Sequence, residues 1–380
     1  MIYLDNNATT PLVPEVVEAM MPYLDANYGN PSSAHSLGRS TRAAIESSRK
    51  DVADLLGAAS ASEVVFTSGG TESDNWAILG ALEADPSMKH IVTTRVEHEA
   101  VRKLCLKLEN QGYRVTWLGV DGDGLLDLDE LSGVMSEDTA IVSVMMANNE
   151  TGVLFPVAEM AEIVKSKSNA LFHVDGVNAA GKVAIDLKGT RVDLFSISAH
   201  KFYGPKGIGA LYIREGTDLP SISIGGGQES GRRAGTEAVH QIAGLGAAAK
   251  FASDLSVMSK VASLRDTLEN GILESIPNTS VNGTRDPAKR LPNTTNISFE
   301  NINGEMIMSR LDDAGICVST GSACHSADHS ASSVLTAMNI PYSKSMGSIR
   351  FSLGRFNTIE EVNIVCSKLR SVPGTVNNKD

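Results

Sequence analysis

The sequence predicts an α/β fold: a large domain with a mostly parallel central sheet, followed by a smaller α+β domain. Three observations predict it. Between about residues 60 and 215, short β-rich runs alternate with helical patterns, the order expected when strands are joined by covering helices. Runs such as IVSVMM at 141–146 are apolar almost throughout, which suits strands buried on both faces. After about residue 255 the alternation stops and a long helical stretch appears, Val257–Ile276.

The strands expected in the first part are EVVFT (63–67), HIVTT (90–94), RVTWLGV (114–120), AIVSVMM (140–146), ALFHVD (170–175), DLFSIS (193–198) and GIGALYI (207–213). Helices are expected between them over Glu72–Glu83, Ala100–Gln111 and Val157–Ser166. In the second part the pattern runs LPNTTNISFE, then a helix in GEMIMSRLDDAG, then a stretch rich in Ser, Gly, Ala and His, then SIRFSLGRF. No low-complexity linker or internal repeat divides the chain.

Composition narrows the function. The 380 residues are 42% hydrophobic, enough for a sizeable core, and carry a net charge of −12 without a concentrated run of Lys or Arg. A phosphate backbone repels such a surface, so a nucleic-acid partner is not expected. Neither a signal-like N-terminus nor an apolar stretch of roughly 20 residues is present, so no membrane partner and a cytoplasmic location are expected. The four cysteines, Cys105, Cys317, Cys324 and Cys366, form no CxxC pair. That argues against a disulfide framework or zinc site and leaves room for one reactive thiol.

Several short segments have chemistry to offer, though each also has a plainer reading. Lys201 follows a buried strand in SAHKFYGPKGIG; such an amine could hold a carbonyl cofactor, or be a solvated loop lysine. Ser68-Gly69-Gly70-Thr71 joins the strand EVVFT to a helix, where free N–H groups suit a phosphate; glycines also sit there for steric reasons. Asp175 ends ALFHVD, as a helix cap or as partner to a protonated pyridine nitrogen. His98 in RVEHEAV is a polar turn residue or a flat ring that stacks and exchanges protons. Arg350 alternates with Ile349 and Phe351, so it faces away from the apolar side, toward a salt bridge or a bound carboxylate. Cys324 lies in STGSACHSADHSASS, which has neither helical nor strand period and reads as a loop. A thiol there can serve as a nucleophile. His325 and His329 are near it, but no metal site is expected there.

Together these stretches resemble the cysteine desulfurases of the NifS/IscS type, in the class V branch of fold-type I pyridoxal-phosphate enzymes. The resemblance runs nearly end to end, through YLDNNATTP, GNPSSAHSLGR, FTSGGTESDN, MANNETG, HVDGVNAAGK, SISAHKFYGPKGIGAL, GGGQESGRRAGTEAV, STGSACHS and SIRFSLGRF. It implies a large domain over 15–255 that binds pyridoxal 5′-phosphate. Residues 1–14 and 256–380 would form the small domain that carries the cysteine loop.

The resemblance also implies roles. Lys201 would be the Schiff-base lysine and the base for the substrate α-proton. Gly70, Thr71, Ser198 and His200 would hold the phosphate, with Thr236 reaching it from a second subunit. Asp175 would pair with the pyridine nitrogen, and His98 would stack on the ring and move protons. Asn178 would face the ring oxygen, and Asn149 and Arg350 would fix the substrate carboxylate. Cys324 would take sulfur from L-cysteine as a persulfide, leaving L-alanine; it is also a candidate for transient iron–sulfur ligation. The implied partners are a second copy of the chain, as a homodimer with sites at its interface, and an iron–sulfur scaffold protein or other sulfur acceptor. The long gap from Cys324 to VLTAMN matches the long-loop group, and the short polar tail after EEVNIVCSKLRSV matches NifS-like members.

Two positions depart from the family pattern: Asn178 stands where Gln is usual, one methylene shorter, and His325 follows the cysteine where Ser or Thr is usual. A selenocysteine lyase, a class V aminotransferase and a non-catalytic docking platform are the alternatives. A thiol in the loop argues against the second, and intact Lys201, Asp175 and Cys324 argue against the third.

Overall fold

The computed structural model describes residues 1–320 and 331–372. The chain opens on a two-residue strand, β1 (Ile2–Tyr3), then α1 (Pro14–Met20) and α2 (Ser36–Leu56). Val16, Ile45, Val52 and Leu56 turn these helices onto the main core. Gly57 ends α2 in the left-handed conformation at φ 57°, where its N–H reaches back to Ala53 and Asp54.

The alternating part follows: β2 (Val64–Thr67), α3 (Gly70–Ala84), β3 (His90–Thr94), α4 (Glu99–Asn110), β4 (Arg114–Leu118), α5 (Leu128–Val134), β5 (Thr139–Met145), α6 (Val157–Lys167), β6 (Leu171–Asp175), β7 (Leu194–Ser198) and β8 (Gly209–Ile213). Each expected strand forms, with ends shifted by two residues at most. These seven strands make one sheet in the order β2-β8-β7-β6-β5-β3-β4. Strands β4, β3, β5, β6 and β7 run parallel, and β8 runs antiparallel to both of its neighbours. Alternate residues feed opposite faces: Phe66, Val142 and Phe172 enter one apolar layer, while Val65, Ile141 and Leu211 enter another with Trp76 and Leu104. This two-sided burial is why the strands read as unbroken apolar runs.

The long helix α7 (Val239–Ala252) returns to pack on α2. Beyond it lie α8 (Met258–Ser275), β9 (Thr279–Val281), β10 (Thr294–Phe299), α9 (Gly304–Asp313), β11 (Ile316–Cys317), α10 (Ser333–Ala337), α11 (Tyr342–Ser345), β12 (Ser348–Ser352) and α12 (Ile359–Arg370). Strands β12, β10 and β9 form an antiparallel sheet, and β1 pairs with β11. Ile297, Phe299, Ile349 and Phe351 form a second core with Leu268 and Leu369. Leu4, from the first residues of the chain, is fully buried in that second core. α10 instead gives Val334 and Leu335 to the core of the large sheet. Among the described residues no helix is long and apolar enough to cross a membrane, and no cluster of His, Cys, Asp or Glu is suited to a metal ion.

Candidate active site

The loops after the parallel strands open into a cavity of about 530 Å³. This is where open α/β sheets place ligands, because the connections leave a crevice beyond the strand carboxyl ends. Gly70, Thr71, His98, Asn149, Asp175, Asn178, Ser198, His200 and Lys201 all line it. Residues far apart in sequence therefore converge on one space.

One wall is an anion cradle. β2 ends at Thr67, and Gly69 turns the chain at φ 149° into α3, whose first residue is Gly70. No side chain caps this helix start. Its N–H groups thus remain available for an anion, with the helix dipole in favour. A Cβ on Gly70 would lie 2.6 Å from Val177 Cγ2, so the close approach requires glycine. Ser198 and His200 face this wall from the end of β7. Burial, with Lys201 and Lys206 nearby, pushes His200 down to about 4, so its ring is neutral at physiological pH.

Lys201 points its Nζ at the backbone oxygens of Asn7 and Ala8, at 2.6 and 3.0 Å. The N-terminal segment thus holds the amine at the cavity wall. Asp175 ends β6, and one carboxylate oxygen accepts the N–H of Val177 at 2.9 Å. Burial raises its pKa, while His98 and Lys201 pull it back down. His98 caps α4: its Nδ1 accepts the N–H of Ala100 at 3.2 Å. A neutral ring in this arrangement carries its proton on Nε2.

Two expected residues do not line the cavity. Arg350, on β12, is buried and held by its own partners: one terminal nitrogen donates to Asn149 O at 2.9 Å and the other to Asp5 Oδ1 at 2.7 Å. It is therefore tied to the backbone of Asn149, which does line the cavity. Thr236 is exposed, in a segment pinned to the first turn of α3 by the Arg233–Glu72 pair at 2.9 Å. Cys324, His325 and His329 lie outside the described residues.

Sequence reasoning missed two buried acids at the cavity: Asp74, which lines it, and Glu97, which does not. Asp74 and Glu97 are 1% and 3% exposed. Glu97 Oε1 accepts from Thr94 Oγ1 at 2.7 Å and Met145 N at 3.1 Å, and burial pushes the carboxyl up to about 8. Asp74 is raised well above the carboxylate range, first by burial and then by Asp175. His173 sits between Ser143 and Ser196 at 2.8 and 2.9 Å, pushed down to about 3 by burial, so it brings no positive charge. Burial raises all three acids of this group, and Asp175 is the one that His98 and Lys201 pull back toward its charged form. The signals were present as TESDN and VEHEA, but no periodicity reveals a buried acid.

The family model for class-V aminotransferases matches residues 2–365. The chain belongs to this family. It is 52% identical over 368 residues to a cysteine desulfurase of Trichormus azollae, covering 96% of this chain and 90% of that one. It is 48% identical over 377 residues to the cysteine desulfurase NifS of Azotobacter vinelandii, covering 99% and 92%. Among solved structures, a NifS-like protein superposes with a TM-score of 0.90 at 39% identity, over 97% of this chain and 98% of that one. The fold is fold-type I, and the cofactor of this enzyme is pyridoxal 5′-phosphate. The cavity fits it: an uncapped helix start whose glycine leaves no room for a side chain, a carboxylate, a flat ring and an amine all border one space.

Proposed function

We propose that this chain is a cysteine desulfurase that takes sulfur from L-cysteine onto Cys324 and releases L-alanine. The convergence of Lys201, Asp175, His98 and the anion cradle on one cavity carries this reading, in a chain whose relatives bear that activity in their names. The cofactor, when bound, supplies an electron sink for the substrate carbon.

The chain's own residues do the rest. Lys201 takes the α-proton and returns it. Asp175, which His98 and Lys201 pull toward its charged form, would hold a proton at the ring nitrogen. His98 stacks on the ring and passes protons through Nε2. Gly70, Thr71, Ser198 and His200 bind the phosphate, and Thr236 of a second copy completes that shell, which makes the working unit a homodimer. Thr236 lies away from the cavity of its own chain, as a residue serving another subunit would. Asn149 faces the substrate carboxylate, with Arg350 tied to its backbone. The Cys324 thiolate attacks the substrate sulfur; as the sulfur–sulfur bond forms, the carbon–sulfur bond breaks with its electron pair left on carbon, which takes a proton to become the methyl group of alanine. The persulfide then passes to an acceptor such as an iron–sulfur scaffold protein.

Cys324→Ala tests the assignment. The variant should keep the visible band of the bound cofactor and lose alanine and sulfide release from cysteine. Full activity in that variant would overturn it.

A further inference from the structure

Lys182 follows Asn178 by four residues on the turn after β6 and is only 7% exposed. Its Nζ faces uncharged oxygens: Asn178 Oδ1 at 2.8 Å, Asn178 O at 3.0 Å and Asn7 Oδ1 at 3.3 Å. No carboxylate is among these partners. Burial, then repulsion from Lys201 and Arg350, pushes its pKa well below the lysine range. A cation-forming group buried without a counter-charge costs stability, so its position calls for a reason.

The hydrogen bonds supply one. The two ends of an amide differ in chemistry, one accepting and the other donating. At Asn178 the neighbours set which end points where. Lys182 donates to the oxygen, and the nitrogen lies 3.5 Å from the carbonyl oxygen of Asn148. Reversing the amide would bring its oxygen against that carbonyl and take the acceptor from Lys182. At 3.5 Å the Asn148 contact is long, which leaves N–H capacity for a ligand in the cavity that Asn178 lines. Asn7 fixes the other side of the clamp, since its Oδ1 also accepts from Asn293 Nδ2 at 3.0 Å and its backbone oxygen holds Lys201.

We propose that Lys182 is a positioning residue: it grips the amide oxygen of Asn178 and so aims the amide N–H at the ring oxygen of bound pyridoxal phosphate. This rests on the cofactor reading above. An N–H at that oxygen favours its anionic form. Without the clamp the amide is free to turn its oxygen inward, and the form in which the ring oxygen shares a proton gains.

The test is a pH titration of the visible band of the holoenzyme. Lys182→Met should move the midpoint up by about one pH unit, the size expected for losing one hydrogen bond to a charged group. Asn178→Ala should move it by a similar amount. The double variant should move no further than Asn178→Ala alone, because the lysine acts through the amide. Lys182→Gln keeps a donor without a charge and should hold the wild-type midpoint; it also serves if the methionine variant does not fold. An unshifted midpoint in Lys182→Met, a full extra shift in the double variant, or a glutamine variant that titrates like Asn178→Ala would each overturn the proposal. A wild-type protein with no visible band would instead overturn the cofactor reading.

Discussion

Glu97 offers a direct measurement of the buried acidic group. Glu97→Gln keeps the shape and the two hydrogen bonds accepted by Oε1, from Thr94 and Met145, and removes only the titration. The second oxygen of Glu97 is buried with no hydrogen-bond partner among the described residues, so a charge there would be poorly solvated. Burial first, and then the charge of Asp175, carry the carboxyl from its usual 4.5 up to about 8. Because the folded state holds this proton more tightly than the unfolded chain, the stabilising contribution is complete below about pH 4.5. It falls as the pH rises and is fully lost above about pH 8. At about 1.36 kcal/mol per pH unit, the wild type should lose about 2–3 kcal/mol more than the variant between pH 6 and pH 9. Urea unfolding of the holoenzyme at both pH values, with protein and cofactor concentrations fixed, reads this directly. Parallel losses in the two proteins would show that Glu97 is already ionised at pH 6.

Gly70→Ala places a methyl 2.6 Å from the stiff side chain of Val177, so cofactor affinity should fall at least tenfold at a stability cost of about 1–3 kcal/mol; a fluorescence titration with pyridoxal phosphate checks it. Arg350→Lys cannot hold Asn149 O and Asp5 together with one planar fork, so KM for cysteine should rise roughly tenfold or more in steady-state assays. Cys105 is fully buried and its thiol is pushed up to about 12, so iodoacetamide at pH 8 should leave it unlabelled in the native protein and label it after unfolding, as read by mass spectrometry.

The central sheet was legible because burial on both faces writes itself as apolar runs, and His90–Thr94 appears with the same limits in sequence and structure. Helix α2 was not anticipated. Several of its buried positions are Thr41, Ser48 and Arg49, and it lies so close to α7 that a Cβ on Gly246 would meet Ser48 at 2.7 Å. Contacts between small residues leave no apolar stripe to read. α7 itself is apolar nearly all round, so it has no amphipathic period. In the site, the positions of Lys201 and Asp175 at the cavity were legible because strand ends are. Asp74, Glu97 and Lys182 were not, since burial of a charged residue depends on what folds over it from elsewhere.

The first residues of the chain have a consequence for when the site can exist. Asn7 and Ala8 hold Lys201 by their carbonyls; Asn7 also bonds Thr294 and Asn293, and Asp5 holds Arg350. Leu4 needs the second core to be buried at all. During synthesis residues 4–8 are made before every one of these partners, and Arg350 follows them by more than 300 residues. The large sheet has all its strands by residue 213, yet the wall beside Lys201 must wait until β12 is out. The nascent protein therefore builds its framework long before residues 4–8 find their partners, and a change at Asn7 should be felt at Lys201.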